Sequence, residues 1–208
     1  MDLTTVPTGS GFWIPWLPFA LVQRWPFCWW VALIIDHFSR KCMGLAVYPK
    51  QPTSVQVRAF LGRVMHAAHA QPRHMISDKG SQFFCDSFKK WAKRRKIKPR
   101  YGAVGKYGSI AVIERFIRSL KHEHTRRILV PLRAVEFRTA LSWYVEWHNG
   151  QRPHQSLDGK TPDDVYSGAA RDSPILVVRG KNAVQLQLHV SPHRGQTHLP
   201  IVELRKVA

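Results

Sequence analysis

The sequence predicts a mixed α/β domain built around a central sheet, and two patterns carry that prediction. Short apolar runs of strand length occupy residues 29–35, 42–48, 73–77 and 97–101. Between and after them, residues 54–68, 81–96, 109–129 and 132–148 place their apolar side chains at helical spacing. Strands alternating with helices of this length call for a sheet covered by helices.

In chain order, residues 8–28 come first as a Trp- and Pro-rich insertion holding Phe12, Trp13, Trp16, Phe19, Trp25 and Phe27. It reads as a hydrophobic lid over the sheet, with a platform for stacking DNA bases as the competing reading. The stretch 11–35 is apolar enough to suggest a membrane span. Pro15, Pro18 and Pro26, with Gln23 and Arg24 between them, interrupt it. A secretory leader is also disfavoured, because Asp2 stands where a positive region belongs.

Run 29–35 suits a strand buried on both faces. Asp36 to Arg40 makes a turn and 42–48 returns, giving an antiparallel hairpin. Asp36 is assigned to that turn, since Asp readily bonds its own backbone. The helix that follows takes Thr53 or Ser54 as N-cap and buries Val57, Phe60, Leu61, Val64, Met65 and Ala68. Strand 73–77 delivers Asp78 at its C-terminal tip, ahead of a Gly-containing turn.

Helix 81–96 is expected to point Phe84, Phe88 and Trp91 inward. Its other face carries Lys89, Lys90, Lys93, Arg94, Arg95 and Lys96. Six cations with no acid among them repel one another, so the face reads as a track for DNA phosphates, against the plainer reading of a solvated surface. Strand 97–101 leads to a loop made mobile by Gly102, Gly105 and Gly108. Helix 109–129 carries Glu114 beside Ile113, Phe116, Ile117 and Leu120, and helix 132–148 packs by Phe137, Leu141, Tyr144, Val145 and His148. A polar stretch, NGQRPHQSLDGKTP, precedes a last short helix. From 172 onward, β-type alternation at 175–178, 183–190 and 199–204 predicts a small C-terminal β appendage. The domain division expected is 1–168 and 169–208.

The chain holds 32 Lys and Arg against 13 Asp and Glu, a formal charge of +19, which calls for a polyanionic partner such as DNA or RNA. Cys28, Cys42 and Cys85 are odd in number and widely spaced. They form neither a disulfide framework nor a zinc pattern, and a reducing cytoplasm is expected. Asp78 and Glu114 stand on separate rigid elements with 35 residues between them. Two such acids in a very basic chain suggest a divalent-metal site acting on phosphodiesters.

The strings DLTTV, IIDHFSR, SDKGSQF, ERFIRSLKHE and HNGQRPHQSL followed by TP occur in that order over residues 2–166. In these strings the chain resembles the catalytic core of DDE transposases of bacterial insertion sequences and of retroviral integrases. The resemblance implies an RNase H-like fold, a mixed central sheet flanked by helices. It also implies a catalytic, metal-binding triad of Asp2, Asp78 and Glu114, with two Mg²⁺ or Mn²⁺ ions as cofactors. The implied reaction is DNA 3′-end cleavage and strand transfer without a covalent protein–DNA intermediate.

Lys121 is implicated by the resemblance, and Arg118 joins it because Glu114, Arg118 and Lys121 fall at i, i+4 and i+7 on one helical face. Lys79 and Lys106 are further DNA-binding candidates, with Lys89, Lys90, Lys93 and Arg94 on the basic helix. Arg152 and His154 either contact DNA or lock the last helix in place. The implied partners are transposon ends, target DNA and further copies of the chain, and the implied location is the bacterial cytoplasm at the nucleoid. The resemblance further leads one to expect the first strand as a stub over residues 2–6, and a helix-turn-helix supplied ahead of it or by a companion protein. A rival reading follows from such truncation: a non-catalytic DNA-binding remnant of a transposase.

Overall fold

The computed structural model describes residues 1–9, 25–102, 110–168 and 186–206. Its first three strands are β1 (Asp2–Pro7), β2 (Cys28–Ile35) and β3 (Cys42–Tyr48), an antiparallel meander in that spatial order. β1, expected over 2–6, pairs with β2 along its whole length, from Asp2 opposite Leu33 to Pro7 opposite Cys28. β4 (His74–Ser77) and β5 (Lys98–Tyr101) pair in parallel. One hydrogen bond ties the two sets together: the Met1 ammonium donates to the Ile76 carbonyl at 2.8 Å, setting β4 beside β1.

β2 shows why the sheet is a middle layer. Trp29, Val31 and Leu33 pack on one face with Ile113, Phe116, Leu120, Phe137, Leu141 and Tyr144. Ala32, one residue out of phase, packs on the other with Val57, Phe60, Leu61, Phe83 and Phe88. Alternate side chains of a strand point to opposite faces, so an unbroken apolar run is buried twice. The first face is covered by α4 (Ala111–Leu120) and α5 (Ala134–Gly150), the second by α1 (Ser54–Ala67), α2 (Ser81–Phe84) and α3 (Asp86–Arg94). Thr53 caps α1 through a capping box with Gln56. Asp36 stays in the β2–β3 turn, accepting from the Ser39 amide at 2.7 Å and its hydroxyl at 2.8 Å.

Three expectations need correction. The helix expected over 81–96 is broken at Cys85, whose backbone is extended (φ −70°, ψ 153°). The break rotates the inward set, so Phe83 is wholly buried while Phe84 lies 45% exposed. The acid-free reading of the basic face also fails, because Asp86 in the first turn of α3 stands 4.0 Å from Lys89. The helix expected over 109–129 is α4 followed by one π turn, Lys121–Thr125, in which the Arg126 amide reaches back to the Lys121 carbonyl. A π turn inserts one residue and swings all later side chains around the axis.

Beyond α5, a 3₁₀ turn (Gln155–Leu157) and α6 (Pro162–Ser167), capped by Thr161, close the core segment. The expected strand at 175–178 and most of the lid, 10–24, lie outside the described residues. Of the β appendage, β6 (Leu186–His193) and β7 (Gln196–Lys206) form a hairpin joined by Arg194 and Gly195, both at positive φ (52° and 73°). Such a two-residue link matches the strand twist. The hairpin is seated on the core: Leu199 is fully buried there, and the Trp147 indole donates to the Pro200 carbonyl at 2.8 Å. Among the described residues no helix is long and apolar enough to cross a membrane.

Candidate functional site

Asp2, Asp78 and Glu114 stand on three elements: the start of β1, the residue after β4 and the first turn of α4. Asp2 opens β1 and its Oδ1 accepts the Leu3 amide at 2.7 Å. Asp78 follows β4, which the Met1 bond holds against β1, and its Oδ1 accepts the Gly80 amide at 3.1 Å. At Gly80 a side chain would press on its neighbours. A Cβ on Gly80 would come within 2.6 Å of the Gln82 amide nitrogen and 3.0 Å of Asp78 Oδ1. Glu114 is exposed in the first turn of α4, whose apolar stripe of Ile113, Phe116 and Leu120 packs on the sheet.

Asp2 responds to the other two acids. Burial pushes the Asp2 carboxyl up to about 6, and the charges of Asp78 and Glu114 push it in the same direction, against the Leu3 amide and the Met1 ammonium. Lys121 belongs to the same neighbourhood. Burial and Arg126 lower its pKa while Asp2 raises it. Asp2 thus lies within electrostatic reach of Asp78, Glu114 and Lys121.

The remaining basic candidates are placed differently. Lys79 is exposed beside Asp78, and Arg118 is exposed on α4. On α3, Lys90, Lys93 and Arg94 are exposed, whereas Lys89 lies over the Phe84 ring at 3.8 Å. Lys106 lies outside the described residues.

The donor set suits a hard divalent cation. All three side chains are carboxylates, the oxygen ligands that Mg²⁺ and Mn²⁺ prefer, and a cation would relieve the repulsion now carried by Asp2. Among the described residues, no three His, Cys, Asp or Glu side chains are drawn together tightly enough to hold an ion as they stand.

A second set of residues has roles the sequence left open. Arg152 Nη2 donates to Glu123 Oε1 at 2.6 Å, and the Tyr144 hydroxyl donates to Glu123 Oε2 at 3.0 Å. Asn149 grips the backbone of Cys42 on edge strand β3, accepting its N–H at 2.9 Å and donating to its carbonyl at 3.0 Å. Arg152 thus locks the segment after α5 to the π turn. Glu123 and Asn149 had no role in the sequence reading, and Tyr144 only one of packing. The one signal for them was that Glu123 closes ERFIRSLKHE and Asn149 opens the string shared with Arg152.

An antiparallel meander beside a parallel strand pair, with helices on both faces, fits an RNase H-like core. Comparison with known proteins agrees. Two family models, each described as an integrase core domain, match residues 1–106 and 95–162. The chain belongs to the integrase core domain family. It is 25% identical over 164 residues to the transposase for insertion sequence element IS904 of Lactococcus lactis subsp. lactis (strain IL1403), a match covering 78% of this chain and 58% of that protein. The chain thus spans a little over half the length of that relative.

Among solved structures, the bovine immunodeficiency virus (BIV) integrase catalytic core domain superposes with a TM-score of 0.55 at 19% identity, covering 80% of this chain and 92% of that one. The HTLV-2 integrase catalytic core, in complex with magnesium, gives 0.52 at 18% identity, covering 69% and 88%. A chain of the simian T-cell lymphotropic virus intasome gives 0.58 at 16% identity, covering 81% and 58%. At these identities the solved structures establish the fold.

Proposed function

We propose that this chain is the catalytic core of a transposase that cleaves DNA 3′ ends and transfers them to target DNA with a divalent metal. The observation that supports the reading is that Asp2, at the start of β1, lies within electrostatic reach of both Asp78 after β4 and Glu114 on α4. The magnesium named with the HTLV-2 integrase core and the transposase activity named for the IS904 relative support it. In this reading Asp2, Asp78 and Glu114 hold Mg²⁺ or Mn²⁺, two ions in all. Bound there, such ions supply charge stabilisation at phosphorus and on the departing 3′ oxygen, and they lower the pKa of the attacking water or 3′-hydroxyl.

The chain's own groups hold and orient. The Gly80 turn fixes Asp78 through its amide, and burial among aliphatic neighbours keeps α4, and with it Glu114, in register. Lys121, half-buried near Asp2, bears on the phosphate beside the acids, and Arg118 extends that contact along the DNA. Lys79 and Lys106 flank the site. Lys89, Lys90, Lys93 and Arg94 on α3 track phosphates farther away. The partners are transposon ends and target DNA, with further copies of the chain assembled on paired ends, and a helix-turn-helix unit supplies end recognition. Residues 1–168 form the catalytic core and 169–208 an added β segment, in the cytoplasm of a bacterium at its nucleoid.

The test is strand-transfer reversal on a branched DNA oligonucleotide, in Mn²⁺ and in EDTA, with Asp78→Asn and Glu114→Gln beside the wild type. Joined product that needs metal and vanishes in both variants is expected. Product persisting in either variant contradicts the acid assignment. DNA binding without product under any condition supports the rival reading, a non-catalytic DNA-binding remnant.

A further inference from the structure

α4 shows two faces, and the acid site uses one. On the other, Arg115 and Ser119 line a cavity of about 590 Å³ closed by Arg40 from the β2–β3 turn, His148 from α5, and Arg152 and His154 beyond it. Three arginines and two histidines line it, and among the described residues no carboxylate does. Glu123, which pairs with Arg152, is not part of the lining. We propose that this cavity is a second DNA contact, a pocket for one backbone phosphodiester of the DNA held at the acid site. The proposal rests on the transposase reading above.

The hydrogen-bonding groups fit an anion that arrives with a water. The Arg152 guanidinium can only donate, and its Nη1 lies 3.4 Å from His154 Nδ1. In the proposed pocket that nitrogen accepts and the His154 proton sits on Nε2, with the nearby His148 carbonyl, which favours a ring N–H, as the competing partner. His154 Nε2 is buried with no hydrogen-bond partner among the described residues, and with the proton there it donates to the phosphate. His148 Nε2 lies 3.4 Å from the Arg40 carbonyl, which can only accept, so His148 Nδ1 is left as a buried acceptor without a partner. A water has two donors: one satisfies His148 Nδ1 and the other a phosphate oxygen. Arg115 is exposed at the rim with no hydrogen-bond or ion-pair partner among the described residues, free to take a phosphate in its fork.

Because Glu114 and Arg115 are neighbours in sequence, a DNA strand crossing α4 meets the acids on one side and this pocket on the other. The pocket would hold a phosphate away from the reacting one and fix the register of the strand.

The test reads binding in EDTA, which removes metal chemistry from the result. A fluorescein-labelled duplex is titrated with the 208-residue chain, wild type and Arg115→Ala, across a salt series. In parallel, ¹⁵N signals of the histidine rings are followed as DNA or inorganic phosphate is added. Arg115→Ala is expected to bind several-fold more weakly, with a log–log salt slope shallower by about 0.9, the loss of one phosphate contact. The His154 Nε2 signal is expected to move on adding DNA. Unchanged affinity and slope overturn the proposal. So does a weakened variant with an unmoved His154 signal, which places the phosphate on Arg115 outside the cavity. A His154 signal that answers inorganic phosphate and not DNA also overturns it, making the pocket a free-anion site. Failure of the acid reading shows elsewhere, as lost metal dependence of joining while this binding persists.

Discussion

Arg152 Nη2 lies 2.6 Å from Glu123 Oε1, and this one ion pair joins the segment beyond α5 to the π turn that follows α4. Both side chains are less than a third exposed, and the Tyr144 hydroxyl takes the other Glu123 oxygen. The pair lies outside the acid site and holds the C-terminal end of the helix that carries Glu114.

Removing Arg152 should therefore cost stability. Arg152→Ala leaves Glu123 with one hydrogen bond in a half-buried place, and a loss of about 1.5–3 kcal/mol is expected, read from urea midpoints. Arg152→Lys should recover only part of it, because an ammonium lacks the planar fork.

Gly80→Ala separates site geometry from stability. The new Cβ presses on the Gln82 amide and on Asp78 Oδ1. Metal-dependent joining should fall by roughly ten- to a hundredfold through displacement of Asp78, with the thermal midpoint nearly unchanged. Equal activity would mean that the turn does not position this carboxylate.

Stability should fall in mild acid. Burial, with His154 and Arg152 nearby, holds His148 down to about 3, and burial with His198 holds His124 down to about 4. Both stay neutral in the folded chain, while in the unfolded chain they take up protons near pH 6.5. The unfolded state then binds more protons, so stability is full above pH 6.5 and declines below it, down to about 4 for His124 and about 3 for His148, by up to about 1.4 kcal/mol per pH unit for each histidine. Replacing His124 by Gln should flatten the denaturation profile over that window.

Much of this was legible in the chain. The apolar run of β2, the Asp36 turn and the Thr53 cap are set by residues close in sequence, and local patterns report local structure. The break at Cys85 and the π turn after Leu120 were not legible. Each is decided by which side chains the sheet accepts, and that depends on partners far along the chain. Arg152 shows the same limit: its sequence allowed DNA contact or locking, and only the approach of Glu123, 29 residues earlier, reveals the lock. Asp78 and Glu114 stood out by spacing and context. The second pocket did not, since Arg40, Arg115 and His154 share no local pattern.

The β6–β7 hairpin, expected as an appendage, behaves in part as core. Leu199 is fully buried among the side chains of the α4–α5 face. Leu199→Ala should cost about 2–5 kcal/mol and lower protection of α5 amides in hydrogen exchange. An effect confined to the hairpin amides would show that the segment folds apart.

The central claim is that Asp2, Asp78 and Glu114 form one metal site. It is tested most directly by Mn²⁺ titration, followed by electron paramagnetic resonance, of the wild type and of Asp2→Asn, Asp78→Asn and Glu114→Gln. Saturable binding in the wild type, weakened at least about tenfold in each of the three variants, is the predicted result. Wild-type affinity retained in any one of them would remove that residue from the site and contradict the account.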